Sequence, residues 1–335
     1  MAQYVLRRLG ISILLVWLVV SVSFFLIRLM PGNAMTYMYQ TMLSEHLGTP
    51  QQIMQQLRVI YGFNPKTPEY VQYFSYLSQV IRGHFGTSTL YPGTPVMKII
   101  ANALPWTILS VAISVGISFG LGVSLGVVIA YFRRRSLATG LTWLVTVMHS
   151  IPNYIYALIG LYFLVTLHPI LPSGGAYGVN VTPRLDARFL GSVAVHLVLP
   201  VGAYVISTLG AWALGMKSTT VSVLGAEYIT AAKARGVREA RVVRSYVARN
   251  ALLPQITGLG LSIGFMFGGS VFIETMFNYP GIGYYLITAV NGRDYTLMMG
   301  IFILTTSAII LANLVTDLVY PKFDPRINLT QGARE

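Results

Sequence analysis

Long apolar runs separated by short polar connections dominate the pattern along this chain. A helix needs about 20 mainly apolar residues to cross the hydrocarbon core of a bilayer. The pattern therefore predicts an all-α polytopic membrane protein with six transmembrane helices. These spans, numbered one to six, lie at about residues 9–30, 104–132, 137–168, 190–216, 255–277 and 296–320.

Proline and glycine mark the irregular places within the spans. A proline inside a helix removes a backbone hydrogen bond, so Pro152 is expected to break span three and Pro200 to break span four. Span two contains two glycine pairs with a spacing of four residues, which let neighbouring helices approach closely. We expect helix packing rather than substrate contact from these residues: Gly116, Gly120, Gly122 and Gly126.

Residues 31–103 interrupt the apolar pattern between spans one and two. Their glutamines and charged side chains exclude a membrane span, yet apolar residues recur with helical periodicity from Val71 to Ile81. Such periodicity predicts amphipathic helices, and we place them in an extracytoplasmic insert on the outer face of the membrane. The predicted parts are a first transmembrane helix, the insert, a membrane core and a cytoplasmic tail, at residues 1–30, 31–103, 104–320 and 321–335.

Composition supports a membrane protein and argues against several other classes. The chain is 54% hydrophobic and only 10% charged, whereas soluble domains carry about 25% charged residues. The net charge of +13 lies in short patches beside the spans, as membrane topology requires, so we expect no nucleic-acid partner. The chain has no cysteine, and its histidines lack metal-ligand spacing. We therefore expect neither a bound metal nor catalytic residues.

The distribution of Lys and Arg predicts the orientation of the chain. If the N-terminus is cytoplasmic, 15 of the 23 basic residues fall on the cytoplasmic side, which the positive-inside rule favours. The dense block Arg133–Arg135 directly follows span two, where this rule has most force. Both termini and the loop at residues 217–254 are therefore expected in the cytoplasm. The first apolar run is long and lacks a small-residue cleavage site, so it is expected to remain uncleaved.

The basic loop at residues 217–254 is the most unusual connection in the chain. Residues 225–236 have the pattern of a short helix that Gly236 stops, because glycine readily adopts the left-handed conformation at a helix end. A second helix is predicted at 237–250, with Pro254 opening span five. The second helix suits either a lipid surface or a partner, whereas the alanine-rich first helix suits a groove on a partner better.

The loop contains Thr230-Ala231-Ala232, followed after three residues by Gly236, and later the run from Tyr246 to Pro254. With the first stretch the loop resembles the EAA segment of permease subunits of binding-protein-dependent ABC importers, and the run from Tyr246 to Pro254 resembles the dipeptide and oligopeptide branch. Three positions depart from the usual motifs: Thr230, Tyr246 and Ala248. A second signature of the family is matched by Glu274-Thr-Met-Phe-Asn-Tyr-Pro-Gly-Ile-Gly283, and shorter matches extend from Tyr4 to Arg326.

The resemblance implies a B-type permease subunit in the cytoplasmic membrane of a prokaryote. The helix at 225–236 would be a coupling helix that docks on a separate cytoplasmic ATPase. The implied partners are two ATPase subunits, a sibling permease, an extracytoplasmic solute-binding protein and membrane lipid. ATP and Mg²⁺ would be bound by the ATPase subunits, so this chain is expected to hold no cofactor and to have no enzymatic activity of its own.

The resemblance also assigns two sets of candidate residues by their places in the motifs. The coupling-loop set comprises Glu227, Tyr228, Thr230, Ala231, Ala232, Arg235, Gly236, Arg249, Asn250 and Pro254. The outer-signature set, for which a gating role is expected, comprises Glu274, Pro280, Gly281, Gly283, Arg293 and Asp294. Asp317, near the inner end of span six, is expected to have a structural or gating role rather than to relay protons.

The residues leave the cargo and two rival functions open. Peptides are the first cargo class that the resemblance implies, but oligosaccharides, nickel chelates and other small solutes pass through similar permeases. An ATP-independent secondary transporter or channel would favour inverted repeats and intramembrane charge, and neither is evident. An intramembrane enzyme would need a nucleophile or metal constellation, and none stands out.

Overall fold

The computed structural model describes residues 2–29, 34–46, 48–61, 68–265 and 271–323. Most of these residues are helical, and the β-type pairing among them is one isolated antiparallel bridge between Thr87 and Pro95. The helices are α1 Ala2–Leu29, α2 Ala34–Ser44, α3 Pro50–Tyr61, α4 Glu69–Ile81, α5 Val96–Tyr131, α6 Ser136–Ser150, α7 Asn153–Leu161, α8 Ala187–Leu224, α9 Glu227–Ala234, α10 Glu239–Arg241, α11 Arg249–Phe265, α12 Val271–Met276, α13 Ile282–Asn291 and α14 Tyr295–Phe323. Two π-helical segments, Tyr162–Leu167 and Val242–Ala248, continue α7 and α10.

The chain divides into two compact units. The first comprises Met1–Thr107, Phe267–Val271 and Pro280–Leu314. The second comprises Ile108–Met266, Phe272–Tyr279 and Val315–Glu335.

Four helical stretches among the described residues are long and apolar enough to cross a membrane. They are Val5–Phe25, Val96–Tyr131, Ala187–Leu224 and Tyr295–Val315. A fifth span forms if the pair Ser136–Ser150 and Asn153–Leu167, bent by 89°, counts as one. Predicted span five includes residues 266–270, which lie outside the described residues. The count of six spans therefore stays a prediction.

The two prolines that were expected to break spans behave differently. Pro152 does separate α6 from α7 and accounts for the bend between them. The prediction for Pro200 is wrong, because α8 runs without a break from Ala187 to Leu224. Pro200 is buried between the buried residues Leu199 and Val201, and packing on neighbouring helices permits a proline inside a spanning helix.

The predicted boundaries of spans two and four are too short. α5 begins at Val96, eight residues before the predicted start, so the insert ends earlier than residue 103. α8 continues beyond residue 216 through a polar Ser-Thr-Thr run, where the Thr219 hydroxyl donates to the carbonyl of Gly215 at 3.2 Å. A hydroxyl that donates to a carbonyl of the preceding turn has its hydrogen bond within the helix, so these polar residues do not end α8. The helix ends at Leu224, and the loop starts at Gly225.

α8 is the central helix of the second unit. Its contact with α5 depends on glycine: a Cβ on Gly126 would lie 2.5 Å from the Ala213 carbonyl oxygen, and one on Gly122 would lie 2.8 Å from the Leu209 carbonyl oxygen. Such distances allow no side chain, so the packing role predicted for these two glycines is confirmed. Gly116 and Gly120 have no such neighbour within 4 Å among the described residues.

In the first unit, the amphipathic helix predicted near residues 71–81 is α4. Its Tyr76 is buried with Val20 and Phe24 of α1 and with Ile303 of α14. The Tyr73 hydroxyl lies 2.7 Å from the hydroxyl of Ser21. A second cluster joins the start of α5 to α13 and α14 through residues such as Ile100, Ile282 and Leu297.

Candidate functional site

The loop between α8 and α11 folds into the short helix that its sequence predicts. α9 spans Glu227–Ala234, slightly shorter than the predicted 225–236. Gly236 ends it with a φ of +71°, the left-handed conformation that favours glycine at this position. The N–H of Gly236 donates to the Lys233 carbonyl at 3.0 Å and that of Val237 to the Ala232 carbonyl at 3.2 Å.

α9 has a buried face and an exposed face. Ile229 and Ala232 are 1% and 6% exposed, and they pack in one cluster with Val242 and Val247 of the π-helical segment. The exposed face carries most of the candidate residues: Glu227, Tyr228, Thr230, Ala231 and Arg235. Ala231 is therefore free to enter a partner's groove as expected, whereas Ala232 is committed to contacts inside the loop.

The helix predicted at 237–250 is present from Glu239 onward, but the predicted boundary at Pro254 is wrong. α10 has three residues, the π-helical segment Val242–Ala248 follows, and this segment continues without a break into α11. Pro254 lies inside α11 and does not open it. A π-helix bonds each residue to one five positions away, which places Val242 and Val247 on the same side. Both valines can therefore face α9.

The remaining loop candidates lie around this junction. Arg249 is exposed at the start of α11. Asn250 is half-buried, and its side-chain amide donates to the carbonyl of Tyr246 at 2.6 Å. This hydrogen bond ties Asn250 to the π-helical segment. Together with the valine cluster, it makes α9 and the start of α11 one packed assembly.

The outer-signature residues are mostly buried. Glu274 is 2% exposed on α12 in the second unit, and Gly281 and Gly283 are buried in the first unit. The N–H of Ile282 donates to the hydroxyl of Thr107 at 2.8 Å, which fixes the start of α13 on α5. Burial, with a smaller contribution from the Glu274 charge, raises the pKa of Tyr279 above its usual value.

Asp294, a residue of the outer signature, joins two separate segments of the first unit through hydrogen bonds. It is fully buried, and its Oδ2 accepts hydrogen bonds from the N–H of Thr89 at 2.9 Å, from the N–H of Leu90 at 3.1 Å and from the hydroxyl of Ser88. Its Oδ1 accepts the N–H of Leu297 at 2.9 Å. Arg293, next to it, is exposed with a φ of +55°. No local sequence signal predicts the pairing of Ser88 with Asp294, because the two residues lie 206 positions apart.

The comparisons with known proteins decide which family this is. Residues 122–329 match the family described as "Binding-protein-dependent transport system inner membrane component". The chain belongs to this family.

Relatives of known sequence cover nearly the whole chain. The family member "Oligopeptide transport system permease protein AppB" of Bacillus subtilis is 32% identical over 98% of this chain and 99% of its own length. A "putative peptide permease protein" of Brucella suis is 33% identical over 98% and 100%. "Dipeptide transport system permease protein DppB" of Lactococcus lactis is 29% identical over the same shares. The family resemblance found in the sequence is thereby confirmed.

A solved structure supports the same fold for part of the chain. The structure described as "Inward facing conformations of the MetNI methionine ABC transporter" has a TM-score of 0.53 and 16% identity, and it covers 68% of this chain and 97% of that chain. At this identity the likeness shows the fold alone. The family match includes α9, the signature from Glu274 to Gly283 and Asp294.

Proposed function

We propose that this chain is the permease subunit of an ATP-driven peptide importer and forms half of its translocation pathway. A sibling permease would supply the other half, and an extracytoplasmic binding protein would deliver the cargo. The family is one of inner-membrane components of binding-protein-dependent transport, and this membership supports the assignment. The chain would lie in the inner membrane of a prokaryote with both termini in the cytoplasm, as its basic residues favour.

Peptides are the cargo that the relatives favour. The relatives from Bacillus subtilis, Brucella suis and Lactococcus lactis are named as permeases for oligopeptides, peptides and dipeptides, and each aligns over 98% of this chain. Oligosaccharides and nickel chelates are the alternatives, and nothing among the described residues favours them. In this scheme the binding protein selects the cargo, and the permease needs only weak contacts along the path.

The observation that carries the coupling role is the two-faced packing of α9. Its exposed face, with Tyr228 and Ala231, would enter a groove on a cytoplasmic ATPase subunit that binds ATP and Mg²⁺. Its buried face, with Ile229 and Ala232, is packed on the π-helical segment that runs directly into α11. A packed cluster moves as one body, so displacement of α9 by the ATPase would be passed to α11.

The experiment is uptake of labelled peptide into proteoliposomes that hold the complete importer. The importer would contain this chain, its sibling permease, two ATPase subunits and the binding protein. The proposal expects uptake that requires ATP, the binding protein and every subunit. Flux through this chain alone without ATP would contradict it and would support a secondary transporter or channel. ATP-driven uptake of an oligosaccharide or nickel chelate in place of peptide would retain the importer and overturn the peptide assignment.

A further inference from the structure

A dense group of cations lies where the cytoplasmic end of α5 meets the coupling loop. Arg133, Arg134 and Arg135 follow directly after α5, and with Lys233 of α9 they line a cavity of about 400 Å³. Glu239 is the one acidic residue among the described residues that line this cavity. It accepts a hydrogen bond from the Tyr131 hydroxyl. Glu239 offsets one of the four cations, so the described lining of the cavity keeps a net positive charge.

A second cavity lies beside the first and shares Arg133 with it. It has a volume of about 320 Å³ and lies between the ends of α5, α6 and α8. Its walls are mainly apolar, with Ile129, Ala138 and the exposed ring of Trp143 among them. The half-buried Lys217 also lines it, and its ammonium donates to the Thr142 hydroxyl at 3.1 Å. The described lining of this second cavity contains no carboxylate.

The two cavities together match an amphipathic anion. The first cavity is lined by cations at the end of the spanning helix α5. The second is a mainly apolar slot that Arg133 and Lys217 also line. Tryptophan is enriched where lipid headgroups meet acyl chains, and the exposed Trp143 lines the second cavity. Basic pockets between helices at the cytoplasmic side bind the headgroups of anionic lipids.

We propose that these cavities bind one anionic glycerophospholipid of the cytoplasmic leaflet. Its phosphate would lie between Arg133 and Lys217, its headgroup would reach toward Lys233, and an acyl chain would pass along Trp143. The apolar slot favours a lipid over an acidic patch on an ATPase subunit, since a soluble protein surface has no chain to fill it. Because Lys233 belongs to α9, the bound lipid would contact the helix to which the coupling role is assigned. The placement rests on the proposed orientation, with this loop in the cytoplasm.

Lipid binding to the purified chain in detergent tests the proposal without any transport step. Phosphatidylglycerol and phosphatidylcholine with the same acyl chains are titrated separately, and retained lipid is counted by native mass spectrometry. The variant Arg133→Gln with Lys217→Gln is expected to bind phosphatidylglycerol about 30-fold more weakly, because each cation near the headgroups contributes a factor of about five. Binding of phosphatidylcholine is expected to be weak in both proteins.

Two control variants test whether a loss of phosphatidylglycerol binding is specific to this site. Arg184→Gln with Arg188→Gln removes two exposed cations at the other end of α8, and it is expected to bind phosphatidylglycerol as the wild type does. Arg133→Lys keeps the charge and is expected to retain most of the binding. Equal affinity of the Arg133/Lys217 variant and the wild type would overturn the site. Displacement of phosphatidylglycerol by millimolar inorganic phosphate would show that the site binds anions without lipid specificity. That result would also overturn the proposal.

Two further outcomes separate this proposal from the transport function. Loss of ATPase association by the Arg133/Lys217 variant, with unchanged lipid binding, would overturn the lipid site and assign these cations to the ATPase interface. Specific lipid binding in a chain that shows no ATP-driven uptake in the complete importer would support the lipid site and contradict only the transport function.

Discussion

The Oδ2 atom of Asp294 accepts a 2.9 Å hydrogen bond from the backbone N–H of Thr89, which lies 205 positions earlier in the chain. The other carboxylate oxygen accepts the N–H of Leu297 in the first turn of α14. One buried side chain therefore caps a helix and anchors the segment before α5. Removal of this carboxylate would leave two buried donors, the Ser88 hydroxyl and the Leu297 N–H, and two partly buried N–H groups without this acceptor.

Asp294→Ala should destabilise the chain strongly. Each buried donor left unpaired costs about 1–3 kcal/mol, so the loss is expected to reach about 3 kcal/mol or more. Thermal unfolding of the purified chain in detergent measures this effect. Asp186→Ala is the matched control, because the exposed Asp186 caps α8 with one hydrogen bond to the N–H of Phe189 at 2.8 Å.

The control should lose only about 1 kcal/mol, the usual contribution of a helix cap. If both aspartate variants lower the unfolding temperature equally, the structural role assigned to Asp294 is wrong. If Asp294→Ala unfolds at the wild-type temperature but prevents transport, Asp294 has a direct gating role instead.

The close approach of α5 and α8 gives a second prediction. Gly126→Val should destabilise the chain by about 3 kcal/mol or more, because the added carbon would meet backbone atoms of α8 that cannot move aside. Gly120→Val, six residues earlier on an open face of α5, should leave the unfolding temperature of the isolated chain nearly unchanged. Unfolding of both variants at the same temperature would contradict the packing of these helices.

The two faces of α9 give a third prediction. Ala232→Arg should destabilise the loop, because it forces a charge into the cluster of Ile229, Val242 and Val247. Ala231→Arg should leave the isolated chain as stable as the wild type, because Ala231 is exposed. Limited proteolysis of the loop in detergent distinguishes them: faster cleavage is expected for Ala232→Arg alone. Faster cleavage of both variants would show that α9 has no free face.

Several features could be predicted from local sequence because their causes are local. Gly236 stops α9 since only glycine adopts its left-handed backbone without strain. Pro152 ends α6, and the apolar runs locate α1, α5, α8 and α14. Each of these outcomes follows from one residue or from one uninterrupted pattern.

The remaining features depend on neighbours that are distant in sequence. Pro200 stays within α8 because packing stabilises the helix on both sides of it, and no local signal reveals this. The π-helical segment places Val242 and Val247 together, whereas an α-helical reading puts them on different faces. The partner of Asp294 lies about 200 residues away. Sequence periodicity identifies helices but not the contacts that override their local preferences.

The central claim is that the exposed face of α9 docks on the ATPase subunit. Site-specific crosslinking tests this docking most directly. The chain contains no cysteine, so Ala231→Cys introduces a single attachment site for a maleimide photo-crosslinker. Leu185→Cys, 92% exposed at the opposite end of α8, is the matched control. In the assembled importer, illumination should join the Ala231→Cys chain to the ATPase subunit and leave the Leu185→Cys chain unjoined to it. Absence of the ATPase adduct from Ala231→Cys, or its formation from Leu185→Cys instead, would contradict the account.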